Sequence, residues 1–191
     1  MAGRPGRRLV PSGAQFSTEA LDRAALEALA LAKKQGVRAA VAGGRALQWF
    51  GSERFTKDVD IVAEAPLAGL RRVKPITFGG SILRASNGVA VDWIVRNDEA
   101  APLYQEALFA ARKLPGCPYP LISAEYLAAM KFVAGREKDR LDLAALVQGR
   151  RLNTRKAWSI IRKHIGWWAA KEFDAFIEEA RWLRKYRQKE D

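Results

Sequence analysis

Residues 58–62 read Asp-Val-Asp-Ile-Val. In a strand, residues two apart point to the same face. Asp58 and Asp60 then stand side by side, while Val59 and Ile61 enter a core. This short run constrains the fold more than any other, because it asks for a sheet with one packed face and one face bearing paired carboxylates. Neighbouring carboxylates repel unless a cation lies between them. Hard oxygen ligands sharing a face suit Mg²⁺ in company with nucleotide phosphates. The alternative is an exposed edge strand with two solvated acids, against which the flanking Val59, Ile61 and Val62 argue. Asp92 raises the same question in the middle of Val89-Ala-Val-Asp-Trp-Ile-Val95. A carboxylate in an apolar strand is costly unless it is paired or metal-bound. It either bonds to Arg84 or Arg96, or joins the first two acids in a two-metal arrangement. There, one ion activates an attacking hydroxyl and the other holds a triphosphate.

Upstream, Val41-Ala-Gly-Gly-Arg-Ala-Leu47 reads as strand, two glycines, then helix. Gly43 and Gly44 let the chain turn tightly and bring backbone N–H groups toward a phosphate at a helix N-terminus. The same turn also occurs for purely structural reasons. Around it the elements alternate. Ser17 and Thr18 cap a helix with Leu21, Ala25, Ala28, Leu29 and Ala32 at helical spacing, stopped by Gly36. Strands follow at 37–42 and 58–62, with a short helix at 45–50 between them and another at 66–72. Ser86-Asn87-Gly88 between two β-rich runs is a hairpin signal. Asp98 caps a helix reaching about residue 113, broken by Pro115-Gly-Cys-Pro-Tyr-Pro120. After Pro120 the pattern is helical: 124–133 after Ser123, 138–147 before Gly149, and a third helix capped by Asn153 or Thr154. The fourth covers 167–187, with Trp168, Phe173, Phe176, Ile177, Ala180 and Leu183 as its apolar face. The expected fold class is α+β, a small mixed sheet flanked by helices with a helical C-terminal region. The expected organisation is a basic arm at 1–15, an α/β core at 16–120 and helices at 121–191.

Charge narrows the partners. The 191 residues carry a net charge of +12. From Arg150 to Asp191 there are 12 basic and 6 acidic residues. Such a surplus suits a polyanion, with nucleic acid ahead of an anionic membrane, although a solvated helical surface has the same composition. Cys117 is the only cysteine and His164 the only histidine. A disulfide framework, a multi-cysteine zinc site and a His–His metal site are thereby excluded within one chain. His164 sits in a basic helix end and reads as structural. Nothing approaches the roughly 18–20 apolar residues of a membrane span, so the expected setting is cytoplasmic, with no membrane partner. Of the six tryptophans, Trp158, Trp168 and Trp182 fit helix packing. Trp49 and Trp93 lie near the acids in sequence, where an indole either packs or stacks on a base.

Taken together, Gly43-Gly44 with Ala46-Leu47, then Gly51, Arg54, Thr56, Asp58-x-Asp60 and a later Asp92, resemble the nucleotidyltransferase superfamily of the DNA polymerase β type. The resemblance covers residues 41–62 most specifically. Within that superfamily the chain is most similar to the AbiEii-like branch, which includes toxins of toxin–antitoxin systems and carries a second helical motif. Here that motif reads Lys131, Arg136, Lys138-Asp139 and Asp142-Leu143. The resemblance implies transfer of a nucleoside monophosphate from an NTP to an acceptor hydroxyl, with Mg²⁺ or Mn²⁺ as cofactor. It implies Asp58, Asp60 and Asp92 as metal ligands, with Asp92 as ligand or base, and Lys131 reaching the triphosphate. It implies Gly43, Gly44, Arg54, Thr56, Lys131, Arg136 and Asp139 at the nucleotide. The basic surface favours an RNA or tRNA end as acceptor, and a cognate antitoxin protein is an implied partner. Helix-surface salt bridges would also explain Lys131 to Asp142. The competing reading is a catalytically weak nucleic-acid- or partner-binding module on the same fold. Gly44 stands where many superfamily members carry serine, which removes a hydroxyl contact to phosphate.

Overall fold

The computed structural model describes residues 16–149 and 151–187. The basic arm expected at 1–15 lies outside them. In chain order the elements are α1 (Thr18–Lys34), β1 (Ala39–Val41), α2 (Gly43–Trp49), β2 (Asp58–Ala63), β3 (Arg71–Pro75), β4 (Gly80–Arg84) and β5 (Ala90–Ile94). Then come α3 (Ala101–Ala110), α4 (Ala124–Ala134), α5 (Glu137–Gln148), α6 (Thr154–His164) and α7 (Trp167–Arg187). The fold is α+β, as the sequence pattern requires.

The sheet runs β1-β2-β5-β4-β3. β2 and β5 are parallel, and every other pairing is antiparallel. The parallel register sets Val59 against Val91 and Ile61 against Trp93, and all four are buried. α1 packs on β1, β2 and β5 with Leu21, Ala24, Ala25, Ala28 and Ala32 buried. Small residues along that stripe let helix and sheet approach closely. The Asn87-Gly88 hairpin turn is tied to the same helix: Asn87 Nδ2 donates to the Ala20 carbonyl, and the Ser86 N–H and hydroxyl donate to Glu27. Downstream, α4 packs on α5 and α6, and α7 packs on α5 and α6. Phe132 and Phe173 meet edge to face at 5.6 Å. Among the described residues, no helix is long and apolar enough to cross a membrane.

The structure corrects four sequence expectations. Residues 66–70 form no helix, and Arg71–Pro75 is strand β3. The Gln35 side-chain amide donates to the Ala68 carbonyl and accepts the Ala68 N–H, and Gly69 has a positive φ. Backbone pairing with β4 then decides the state of the following run. α3 ends at Ala110 instead of near 113, because Arg112 pairs with Leu121 through both backbone groups. Asp98 does not cap it directly; its carboxylate accepts the Ala100 N–H one residue earlier. On α7 the buried stripe is Ala170, Phe173, Ile177 and Ala180. Trp168 falls on the opposite side and is 78% exposed, while Trp182 and Leu183 are also exposed.

Candidate active site

The parallel pairing of β2 with β5 places Asp60 directly beside Asp92, with Asp58 beside Ala90. Paired residues share a face, and so do residues two apart. Asp58, Asp60, Val62, Asp92 and Ile94 therefore form the floor of one cavity of about 500 Å³, all five among its lining residues. Ile82 of β4 continues this floor, being the register partner of Asp92. The walls include Tyr104 of α3, Leu127, Met130 and Lys131 of α4, and Arg136, Lys138 and Asp139 at the start of α5.

Gly43 shows why a glycine opens α2. Its φ is +53°, and a Cβ there would lie 1.7 Å from Asp60 Oδ2. The carboxylate occupies the space a side chain would need, and it accepts the backbone N–H of Gly44. Gly44 is buried, and a Cβ on it would come within 2.8 Å of Thr56 Oγ1 and 3.0 Å of an Arg54 guanidinium nitrogen. The immediate neighbours of both glycines are therefore site side chains. Thr56 is itself buried, and its hydroxyl donates to Asp58 Oδ1 at 3.0 Å.

The acids are under electrostatic pressure. Burial pushes the Asp60 carboxyl up from its ordinary value, and repulsion from Asp58 adds to this; Lys131, the Gly44 N–H and Lys138 oppose it. Asp92 is pushed up to about 6 by burial, then by Asp60 and Asp58, with Lys74 and Lys138 opposing. Among the described residues Asp92 forms no ion pair with Arg84 or Arg96. Arg84 donates to the Gly88 carbonyl and Arg96 pairs with Asp98. Also among the described residues, no group of three or more His, Cys, Asp or Glu side chains is arranged to hold a metal ion unaided.

A second charge cluster forms one wall. Lys131 Nζ lies 2.7 Å from Asp139 Oδ1 and 2.8 Å from Asp142 Oδ2. Arg136 pairs with the second oxygen of Asp139. Arg54 Nε lies 2.7 Å from Asp142 Oδ1. Asp139 and Asp142 are almost completely buried, so two hidden acids anchor three cations at the cavity wall. Burial raises the Asp139 carboxyl, but hydrogen bonds from Arg136 and Lys131 outweigh it and hold the group below the usual carboxylate range. Arg136 with Asp139 is an i, i+3 pair at the start of α5, but the others span segments: Lys131 reaches across the α4–α5 turn at Gly135, and Arg54 reaches in from the loop before β2. Asp139 serves the cavity through the cations it holds.

Every residue expected at the site is thus gathered around one cavity, Gly44 just behind its wall. Lys74 and Lys57 escaped sequence reasoning, and Asp142 was named in the second motif without its partners. Asp142 joins Arg54 to Lys131, a link between distant segments that spacing cannot reveal. Lys74 lines the cavity from β3, just past the segment read as helix over 66–72. Lys57 lines it too, although strand alternation would turn it away, because β2 begins only at Asp58.

The class defined here is an α+β domain with carboxylates paired across parallel strands beneath a cation-walled cavity. No family model matches the chain, and no curated protein matches it. Among solved structures, it is similar to an antigenic nucleotidyltransferase-like protein from Paracoccidioides brasiliensis (15% identity, 86% of this chain and 95% of that one, TM-score 0.46). It is also similar to the antibiotic-resistance factor ANT(2'')-Ia in solution (14% identity, 92% and 100% coverage, TM-score 0.45). A crystal structure of ANT(2'')-Ia with adenylyl-2''-tobramycin gives 16% identity, 88% and 99% coverage and a TM-score of 0.43.

Proposed function

We propose that this chain is a nucleotidyltransferase of the DNA polymerase β type, moving a nucleoside monophosphate from an NTP to an acceptor hydroxyl. The observation that carries the reading is the pairing of Asp60 with Asp92, with Asp58 one pleat away, on the floor of a cavity walled by Lys131, Arg136 and Lys138. The donor set fits Mg²⁺ or Mn²⁺: hard oxygens, mutually repelling, with Asp60 and Asp92 both raised in pKa. Mg²⁺ characteristically takes one or two carboxylates and completes its shell with substrate phosphates and water. A site without a closed three-ligand cage is consistent with that habit. Asp58 and Asp60 would hold the ion, with Asp92 beside them. When bound, it supplies charge stabilisation at the phosphates and makes the attacking hydroxyl more acidic.

The chain's own residues do the rest. Gly43 leaves room for Asp60, and Thr56 orients Asp58. Lys131, Arg136 and Lys138 balance the triphosphate and the charge that grows on the leaving pyrophosphate. Asp139 and Asp142 keep Lys131 and Arg136 in place. Asp92 accepts the proton of the acceptor hydroxyl as its oxygen attacks the α-phosphorus. The bond from that phosphorus to its bridging oxygen breaks, and pyrophosphate departs with the electron pair.

The surplus of positive charge supports an RNA or tRNA end as acceptor over a cationic small molecule. The Lys131, Arg136, Lys138-Asp139, Asp142-Leu143 pattern supports the AbiEii-like branch, and with it a toxin role in the cytoplasm and a cognate antitoxin protein. One observation favours the second reading, a catalytically weak binding module: the Lys131 ammonium already faces two buried carboxylates. Thermal melting separates the two. The enzyme reading expects stabilisation by NTP with Mg²⁺ that vanishes in Asp58→Ala. Salt-sensitive RNA binding with no response to NTP supports the module instead.

A further inference from the structure

We propose that the β4–β3 flank of the sheet is the entry surface for a single-stranded RNA acceptor. Arg71, Lys74 and Arg84 would hold its phosphates and Phe78 would stack on one of its bases. This rests on the nucleotidyltransferase reading for its purpose, although the surface itself is read from the register.

β3 is the edge strand, and all five of its residues are exposed. Arg71 pairs with Arg84 and Lys74 pairs with Ile82, with a bulge between Arg72 and Lys74. Without the bulge, residues three apart would face opposite sides of the sheet. With it, Arg71 and Lys74 both share the face of Arg84, Ile82 and Asp92, since Ile82 is the partner of Asp92 and Arg84 that of Ala90. Neighbouring strands lie about 4.8 Å apart, so Lys74 sits two strands, or about 10 Å, to the side of Asp92. Arg71 occupies the same lateral position one step along β3, and its partner Arg84 lies on β4, one strand or about 5 Å to the side of Ala90. Among the described residues no carboxylate forms an ion pair with any of the three cations.

Phe78 stands at the β3–β4 turn. The guanidinium of Arg96 lies 4.4 Å from its ring centre, and Tyr104 backs Arg96 at 4.8 Å. Asp98 clamps Arg96 through two hydrogen bonds. The turn is seated on the end of β5: a Cβ on Gly79 would lie 2.1 Å from the Val95 carbonyl oxygen. Phe78 is nonetheless 38% exposed and lines the cavity. Charged residues on an edge strand ordinarily serve to block strand addition. That role explains neither a lysine lining the cavity nor a braced, exposed aromatic ring beside it. Cations without a carboxylate partner, Arg84 keeping one bond to the Gly88 carbonyl, that track toward an open aromatic face are the chemistry of single-strand binding.

The test uses fluorescein-labelled oligouridine of about twelve nucleotides, titrated at several salt concentrations against wild type, Arg71→Ser/Lys74→Ser, Phe78→Ala and Phe78→Leu. Arg155→Ser/Lys156→Ser serves as a basic-surface control. The expected result is about tenfold or greater loss in the β3 double variant, with a salt slope shallower by about 1.4 for two lost phosphate contacts. Both Phe78 variants should lose about fivefold or more with the slope unchanged; the leucine keeps the apolar contact if the alanine disturbs the turn. Wild-type-like binding by the β3 and Phe78 variants, or loss confined to the Arg155/Lys156 control, overturns the proposal, as does a wild type that binds no oligouridine. NTP stabilisation of wild type is measured in parallel. Its absence overturns the enzyme reading, while the titrations still judge the flank.

Discussion

Substituting Gly43 by alanine combines two penalties that the structure separates. The first is conformational: φ is +53°, and an L-residue in left-handed backbone costs roughly 1–2 kcal/mol. The second is steric. The new Cβ would lie 1.7 Å from Asp60 Oδ2 and 2.4 Å from Cγ, so the carboxylate must leave and give up its bond from the Gly44 N–H. A hydrogen bond to a charged group is worth about 1.5–3 kcal/mol. The total is about 2.5–5 kcal/mol. Gly36 supplies the control, since its φ is +70° with nothing within 4 Å of a built Cβ. Gly36→Ala should carry only the first penalty. For a chain of this size 1 kcal/mol moves Tm by about 2–4 °C, giving roughly 2–8 °C for Gly36→Ala and 5–20 °C for Gly43→Ala. Calorimetry on both variants, with nucleotide transfer assayed below the lower Tm, checks the numbers. Equal melting of the two variants, with transfer retained in Gly43→Ala, would refute the packing of Asp60 against Gly43.

Three further outcomes follow from the charge clusters and the exposed helix face. Lys131→Met leaves Asp139 and Asp142 short of a cation, and breaking a buried pair costs about 3–5 kcal/mol. Adding Asp139→Asn to Lys131→Met should recover part of that loss in urea titrations, and a purely additive double variant would contradict the coupling. Asp139 is held below its ordinary value in the folded chain, so below about pH 4 the unfolded chain binds more of this proton. Its contribution is present above the unfolded pKa and is lost as pH falls through the folded one. Acid titration by circular dichroism should show a shallower decline in stability for Asp139→Asn than for wild type. Trp168→Ser changes a residue that is 78% exposed, and the loss should not exceed the roughly 0.5–1.5 kcal/mol of its edge-to-face contact with Trp167.

Period-two alternation sufficed to put Asp58 and Asp60 on one face and Val59 and Ile61 in the core, because strand geometry is local. Asn87-Gly88 likewise marked the β4–β5 hairpin. The neighbour relation of Asp60 and Asp92 needed the parallel register, which no local signal encodes. β3 was illegible for the same reason. Arg71-Arg-Val-Lys74 has little intrinsic strand preference, and its state is set by pairing with β4 and by the Gln35–Ala68 clamp. The second motif announced its residues but not their arrangement. Lys131 could have sat in ordinary helix-surface pairs, and only the fold shows it facing two buried acids, one of them shared with Arg54. Trp168 misled because an aromatic at a helix start reads as core, whereas the stripe of Ala170, Phe173, Ile177 and Ala180 turns it outward.

Nucleotide transfer is proposed to take place at the Asp58, Asp60 and Asp92 carboxylates. The most direct measurement incubates the protein with each α-labelled NTP, Mg²⁺ and total RNA, beside Asp58→Ala/Asp60→Ala. Label is expected on an RNA band with wild type alone, the band naming the acceptor and the productive NTP naming the nucleotide. Label that persists in the double variant, or no label and no NTP binding by the wild type, would contradict the proposal.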